Sequence, residues 1–165
     1  MSVVVLERAA YRLIRIEGFL DGRTPESRRL PSVVDACEQT PAHYVIDLSA
    51  VEYVNSASIG CFLRLLAAMQ ASGRRVLLLN PPPHVKNILE MTGLTPLFPM
   101  ADREEDCIAI LRGSAPSGGS LPADIDYRRL ASEIDETVRQ GGAAVVGQES
   151  QLRRLWDASR GEGRL

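Results

Sequence analysis

Apolar positions in the first 112 residues alternate between short runs and helical stripes. Val3-Val4-Val5-Leu6 is a β-branched run, and Tyr11 to Ile16 alternates in part, as a half-buried strand does. The few residues between them fit a hairpin. Gly18-Phe19-Leu20-Asp21-Gly22 is expected to break the second strand. Thr24-Pro25-Glu26 then opens a helix, with threonine as N-cap, proline at the first helical position and an acid in the first turn. Pro31 is expected to kink or split this helix ahead of Val33, Val34 and Cys37.

His43 to Leu48 reads as a strand with one carboxylate, Asp47, near its end. A second helix starts at Asn55-Ser56, and Ile59, Phe62, Leu63, Leu66 and Met69 share one face before Gly73 stops it. Val76 to Leu79 is a continuous apolar run, the pattern of a strand covered on both faces. Pro81-Pro82-Pro83 ends it. Val85, Ile88, Leu89 and Thr92 repeat at helical spacing until Gly93, and Leu97-Phe98 reads as a short strand. Asp102, with Glu105 three residues on, marks a helix through Ile108 and Leu111. The order β-β-α-β-α-β-α-β-α predicts an α/β fold: a mixed sheet of four to five strands with about four helices. Sites in such sheets gather at the carboxyl ends of strands.

A break in composition follows. GSAPSGGSLP, residues 113–122, has a flexible linker's composition and divides a domain at 1–112 from an extension at 123–165. In the extension, Ile125, Tyr127, Leu130, Ile134 and Val138 fit an amphipathic helix ended by Gly141-Gly142. Ala143 to Val146 is ambiguous, and Gln151 to Trp156 reads as another short helix. Two short helices bury little alone, so they either dock on residues 1–112 or await a partner.

Charge and composition narrow the classes. Apolar residues make up 45% and charged ones 24%, and the net charge is -2. The basic residues, all arginine except Lys86, are scattered, which argues against a nucleic-acid face. The apolar stretch in MSVVVLERAAYRL is too short for a signal peptide, and no run approaches the roughly 18 to 20 residues of a membrane span. Cys37, Cys61 and Cys107 are odd in number and far apart, as expected of reduced thiols in a cytoplasmic protein and not of a disulfide framework or metal site.

Catalytic signatures do not occur. The chain has no G-x-S-x-G, no G-x-x-x-x-G-K-[ST] and no G-x-G-x-x-G. His43 and His84 lack a Cys or acid partner at a motif spacing and read as structural or surface residues, not bases. Asp47 is either a functional carboxylate or a residue of the turn after its strand. The informative segment is Val54-Asn55-Ser56-Ala57-Ser58-Ile59-Gly60. Asn55 or Ser56 caps a helix there, and Ser58 lies in its first turn. Small residues at a strand-to-helix loop would let another protein approach closely. A phosphate would be favoured by the helix dipole and would bring about two negative charges.

The stretch YVIDLSAVEYVNSASIGCFLRLLAAMQASGRRVLLLNPPPHVKNILEMTGLTPLF, together with GFLDGRT before it, resembles a STAS domain, in particular the bacterial anti-sigma factor antagonists. The resemblance covers roughly residues 3–112. It is carried by Gly18 and Asp21, Asp47-Leu48-Ser49, Val51, the small-residue helix start, Gly73 and Thr92-Gly93-Leu94.

The resemblance implies a non-catalytic, cofactor-free protein that binds an anti-sigma factor and serine kinase, is phosphorylated at the helix start, and is reset by a phosphatase. The implied partner surface is Asp21, Asn55, Ser56, Ala57, Ser58 and Gly60. Against the family pattern D-S-[ST]-G-[LIV]-G, Asn55 replaces the Asp, Ser56 matches the first Ser, Ala57 replaces the usual phosphoacceptor and Ser58 replaces the first Gly. Alanine has no hydroxyl to modify. Ser56 and Ser58 remain candidate phosphoacceptors, Ser56 the stronger, because in some relatives the serine directly after the Asp is the one modified. A scaffolding subunit of a stress-sensing or transport complex is the alternative; a large homo-oligomer would favour it, a monomer or homodimer the antagonist. If residues 123–165 cover the helix start, they would oppose binding in cis.

Overall fold

The computed structural model describes residues 3–112, 125–140 and 151–159. The expected linker at 113–122 and the ambiguous run at 143–146 lie outside the described residues. Strands β1 (Val3–Glu7) and β2 (Arg12–Leu20) form an antiparallel hairpin. Strands β3 (Tyr44–Val54), β4 (Val76–Leu79) and β5 (Met100–Ala101) then add in parallel, giving a five-stranded mixed sheet in the order β1-β2-β3-β4-β5. Helices α1 (Pro25–Glu38), α2 (Ser56–Ala71) and α3 (Pro83–Met91) connect β2 through β5, and α4 (Glu104–Arg112) follows β5, in the expected sequence.

Side-chain alternation along the central strands creates two cores. Ile14, Ile16, Tyr44, Ile46, Leu48, Val76 and Leu78 join the cluster that includes Ile59, Phe62, Leu63 and Val85 of α2 and α3. Leu13, Val45, Leu77 and Leu79 belong to a smaller cluster with Cys107 of α4. All of β4 is buried, as its unbroken apolar run requires.

Four local expectations are corrected. Gly18 does not end β2. It adopts φ 103° beside a register shift against β3, so the strand bulges and continues to Leu20. Pro31 does not split α1, which runs unbroken from Pro25 to Glu38. Leu30, Val34 and Cys37 hold it to the core on both sides of the proline, and Arg64 donates to the Pro31 carbonyl at 3.3 Å. β3 does not end at Leu48 but runs on to Val54, so Asp47 serves no turn after the strand. Its carboxylate, 5% exposed, accepts from Ser49 N at 3.0 Å and Arg15 Nε at 3.1 Å at a second register shift between β2 and β3. Finally, Leu97 ends a short 3-10 turn (Thr95–Leu97), and the strand falls at Met100–Ala101.

The extension docks. Helix α5 (Tyr127–Arg139) lies against α2 and α6 (Gln151–Ser159) lies against α5, with Leu130, Ile134, Leu152 and Leu155 buried in the larger cluster. Among the described residues, no helix is long and apolar enough to cross a membrane.

Candidate functional site

The carboxyl ends of β2 and β3 bring two loops together. Asn55 N–H donates to the Leu20 carbonyl at 2.8 Å, which joins the start of α2 to the end of β2. Asn55 has extended backbone and its Oδ1 accepts from Ser58 N at 3.0 Å, so it is the N-cap of α2. On the neighbouring loop, Asp21 Oδ1 accepts from Arg23 N at 2.8 Å and from Thr24 N at 3.1 Å. These two donors hold the Asp21 carboxyl below the usual carboxylate range. The Asp21 carboxylate thus organises the loop, while Thr24 caps α1 by accepting from Ser27 N.

The first turn of α2 presents its residues unequally. Ala57 is exposed, Asn55 and Ser56 are half-buried, and Ser58 is only 5% exposed. Gly60 is buried beneath α5: a β-carbon there would stand 3.5 Å from the Tyr127 carbonyl oxygen and 3.7 Å from Ala131 Cβ. Asp21, Asn55, Ser56 and Ala57 therefore stand together at an accessible mouth, whereas Ser58 faces inward and Gly60 faces α5. Between α2 and α5 lies an open cleft of about 470 Å³, bordered by Ser56, Ala57 and Cys61 on one side and Tyr127, Ala131 and Ser132 on the other. Burial raises the Cys61 thiol and pushes the Tyr127 phenol up to about 12, so both are neutral near pH 7.

Sequence reasoning missed an aromatic surface beside this mouth. Phe19 and Tyr53 pair across β2 and β3 and are 43% and 45% exposed. The His84 ring stacks on Tyr53 at 5.9 Å between centroids, and its Nε2 accepts from Val54 N at 3.1 Å. The available signal was two aromatic residues at adjoining strand ends, where β2 bulges. His43 is structural, as expected: its Nδ1 accepts from Arg75 N at 3.1 Å.

The carboxylate at this mouth is committed to backbone donors, and His84 is engaged by Val54. Among the described residues, no group of three or more His, Cys, Asp or Glu side chains could hold a metal ion.

Known proteins resemble this chain. An anti-sigma F factor antagonist from Lysinibacillus sphaericus is 28% identical over 101 residues, spanning 61% of this chain and 86% of its own length. The corresponding antagonist from Paenibacillus polymyxa is 23% identical over 99 residues, or 60% and 85% of the two chains. Among solved structures, the antagonist SpoIIAA in its unphosphorylated form aligns with TM-score 0.56 and 23% identity, over 69% of this chain and 99% of that one. A STAS domain protein from Planctomyces limnophilus aligns with TM-score 0.59 and 18% identity, over 68% and 100%. Both solved structures share the fold. The family model for the STAS domain matches residues 2–107, and the chain belongs to the STAS domain family, among relatives of the anti-sigma factor antagonist type.

Proposed function

We propose that this protein is a non-catalytic antagonist that binds an anti-sigma factor of the serine-kinase type through the mouth of α2, with Asp21, Asn55, Ser56 and Ala57 at the contact. Ser58 supports this surface from within, and Gly60 continues it along the flank of α2 that α5 covers. The observation that carries the reading is Ala57. It is exposed in the first turn, where the family pattern has its phosphoacceptor, and it has no hydroxyl. The kinase therefore finds nothing to modify at its usual target, and the protein stays competent to bind. A phosphate at this turn would put about two negative charges on a surface otherwise suited to neutral docking. Ser56, half-buried, is the remaining candidate acceptor; Ser58 would have to leave its buried position first. The setting is the cytoplasm of a bacterium, and a phosphatase has a role only if Ser56 is modified.

Incubation with the anti-sigma factor kinase and ATP, followed by mass spectrometry, tests this. The wild-type chain stays unmodified and Ala57→Ser takes up one phosphate. Stoichiometric phosphate on wild-type Ser56 would contradict the constitutive form of the proposal.

A further inference from the structure

We infer that the α5–α6 pair is an intramolecular competitor for the partner surface: it covers the flank of α2 at Gly60, and full engagement of the partner requires it to swing away. This rests on the reading of α2 as the docking element.

Position is the first argument. Gly60 lies one helical turn beyond Ser56, and α5 approaches it to van der Waals distance with both its backbone, at the Tyr127 carbonyl, and its side chain, at Ala131. A protein gripping α2 at its mouth and along this flank would have to occupy the same space. The mouth itself stays open, because Ala57 is exposed. First contact at Ala57 and the Asp21 loop therefore needs no prior opening.

Construction is the second. The two helices are tied to each other by polar bonds. Glu133 Oε1 accepts from Leu152 N at 3.0 Å, at the start of α6, and Gln151 Oε1 accepts from Asp126 N at 3.4 Å, just ahead of α5. Arg129 pairs with Glu133, and Arg139 with Asp135, within α5. Those bonds travel with the pair when it moves. What α5 buries is apolar at Leu130 and Ile134, packing without directional bonds, and its buried Thr137 donates to the Glu133 carbonyl of the same helix at 2.7 Å.

Fit is the third. The cleft of about 470 Å³ between α2 and α5 is open to solvent, so α5 does not pack along the whole of this flank. A partner surface shaped to α2 would expel that water and bury the apolar wall that α5 leaves wet.

The test is a reversible lock in the full chain. Gly60→Cys with Ala131→Cys sets two β-carbons about 3.7 Å apart, within the range a disulfide needs, and Cys61→Ser removes the neighbouring thiol. Binding of the purified anti-sigma factor kinase is measured for this variant oxidised and reduced. The expected result is at least tenfold weaker binding when oxidised, reversed by reductant, with wild type indifferent to the reductant. Equal binding in the two states overturns the inference and leaves the docking proposal standing. Should the lock fail to fold, Ala131→Glu is used to wedge α5 off α2, and at least tenfold tighter binding is expected; unchanged affinity overturns the inference. If no form binds the kinase, the docking proposal falls, and amide exchange decides on opening. Exchange in α5 well ahead of β3 upholds the swing, and exchange of both at one global rate overturns it.

Discussion

Gly22 approaches Asn55 so closely that a β-carbon on the glycine would stand 3.3 Å from the Asn55 Nδ2. Gly22 also holds φ 86°, a backbone region that side chains rarely tolerate. Gly73 shares the positive φ, at 72°, but a β-carbon there would meet open space. Gly73→Ala is therefore expected to cost about 1 kcal/mol, for backbone strain alone. Gly22→Ala should cost more, about 2 kcal/mol, because it also presses on the cap of α2. Urea titration of both variants checks the ordering, and equal costs would mean that the loop yields to Asn55 freely.

Asn55→Ala removes the acceptor for Ser58 N and should cost about 1 kcal/mol. Asn55→Asp keeps that acceptor and adds a charge favoured at a helix N-terminus, so it should recover the loss. Thermal unfolding at neutral pH compares the three proteins.

Pro31→Ala should raise stability by about 1 to 3 kcal/mol, since alanine restores the N–H that proline withholds from the interior of α1. A loss of stability would show that the proline ring supplies packing worth more than the bond.

Acid sensitivity has two sources. Glu104 accepts from the Tyr11 hydroxyl at 2.6 Å and from Arg8 Nε at 2.8 Å, and these bonds hold its carboxyl below the ordinary glutamate range. A carboxyl depressed on folding stabilises above that range and loses its contribution as the pH falls through the folded value. Glu104→Gln should therefore be less stable than wild type by about 1 kcal/mol or less at neutral pH, because the group is partly exposed, and the gap should close in acid. For His43, burial and the nearby Arg74 and Arg75 favour the neutral ring. The unfolded chain takes up that proton first, so this contribution is also lost as the pH falls, beginning from the ordinary histidine range. Urea titrations across the acid limb separate the two through Glu104→Gln.

Much of this was legible beforehand because local pattern and tertiary demand coincide. The stripe Ile59, Phe62, Leu63, Leu66, Met69 is both helical in period and buried, and the Asn55 cap is chemically unambiguous. Where the two diverge, the sequence misleads. Gly18 and Pro31 carry strong local signals for a break, yet pairing with β3 and the buried stripe of α1 override them. The full length of β3 escaped because its exposed Ser49 and Ala50 interrupt the apolar run at a bulge. The aromatic pair Phe19–Tyr53 is formed by register, which a single chain pattern does not display. Likewise, amphipathicity announced α5, but only the fold places it on Gly60.

The central claim, contact through the mouth of α2, is tested most directly by calorimetric titration of the anti-sigma factor kinase with Ala57→Glu beside wild type. An acid in the first turn suits the helix dipole, and the site is exposed, so the variant should fold at least as stably as wild type. The account predicts that it binds at least tenfold more weakly, a loss of about 1.4 kcal/mol or more. Undiminished affinity in a well-folded Ala57→Glu protein would contradict it.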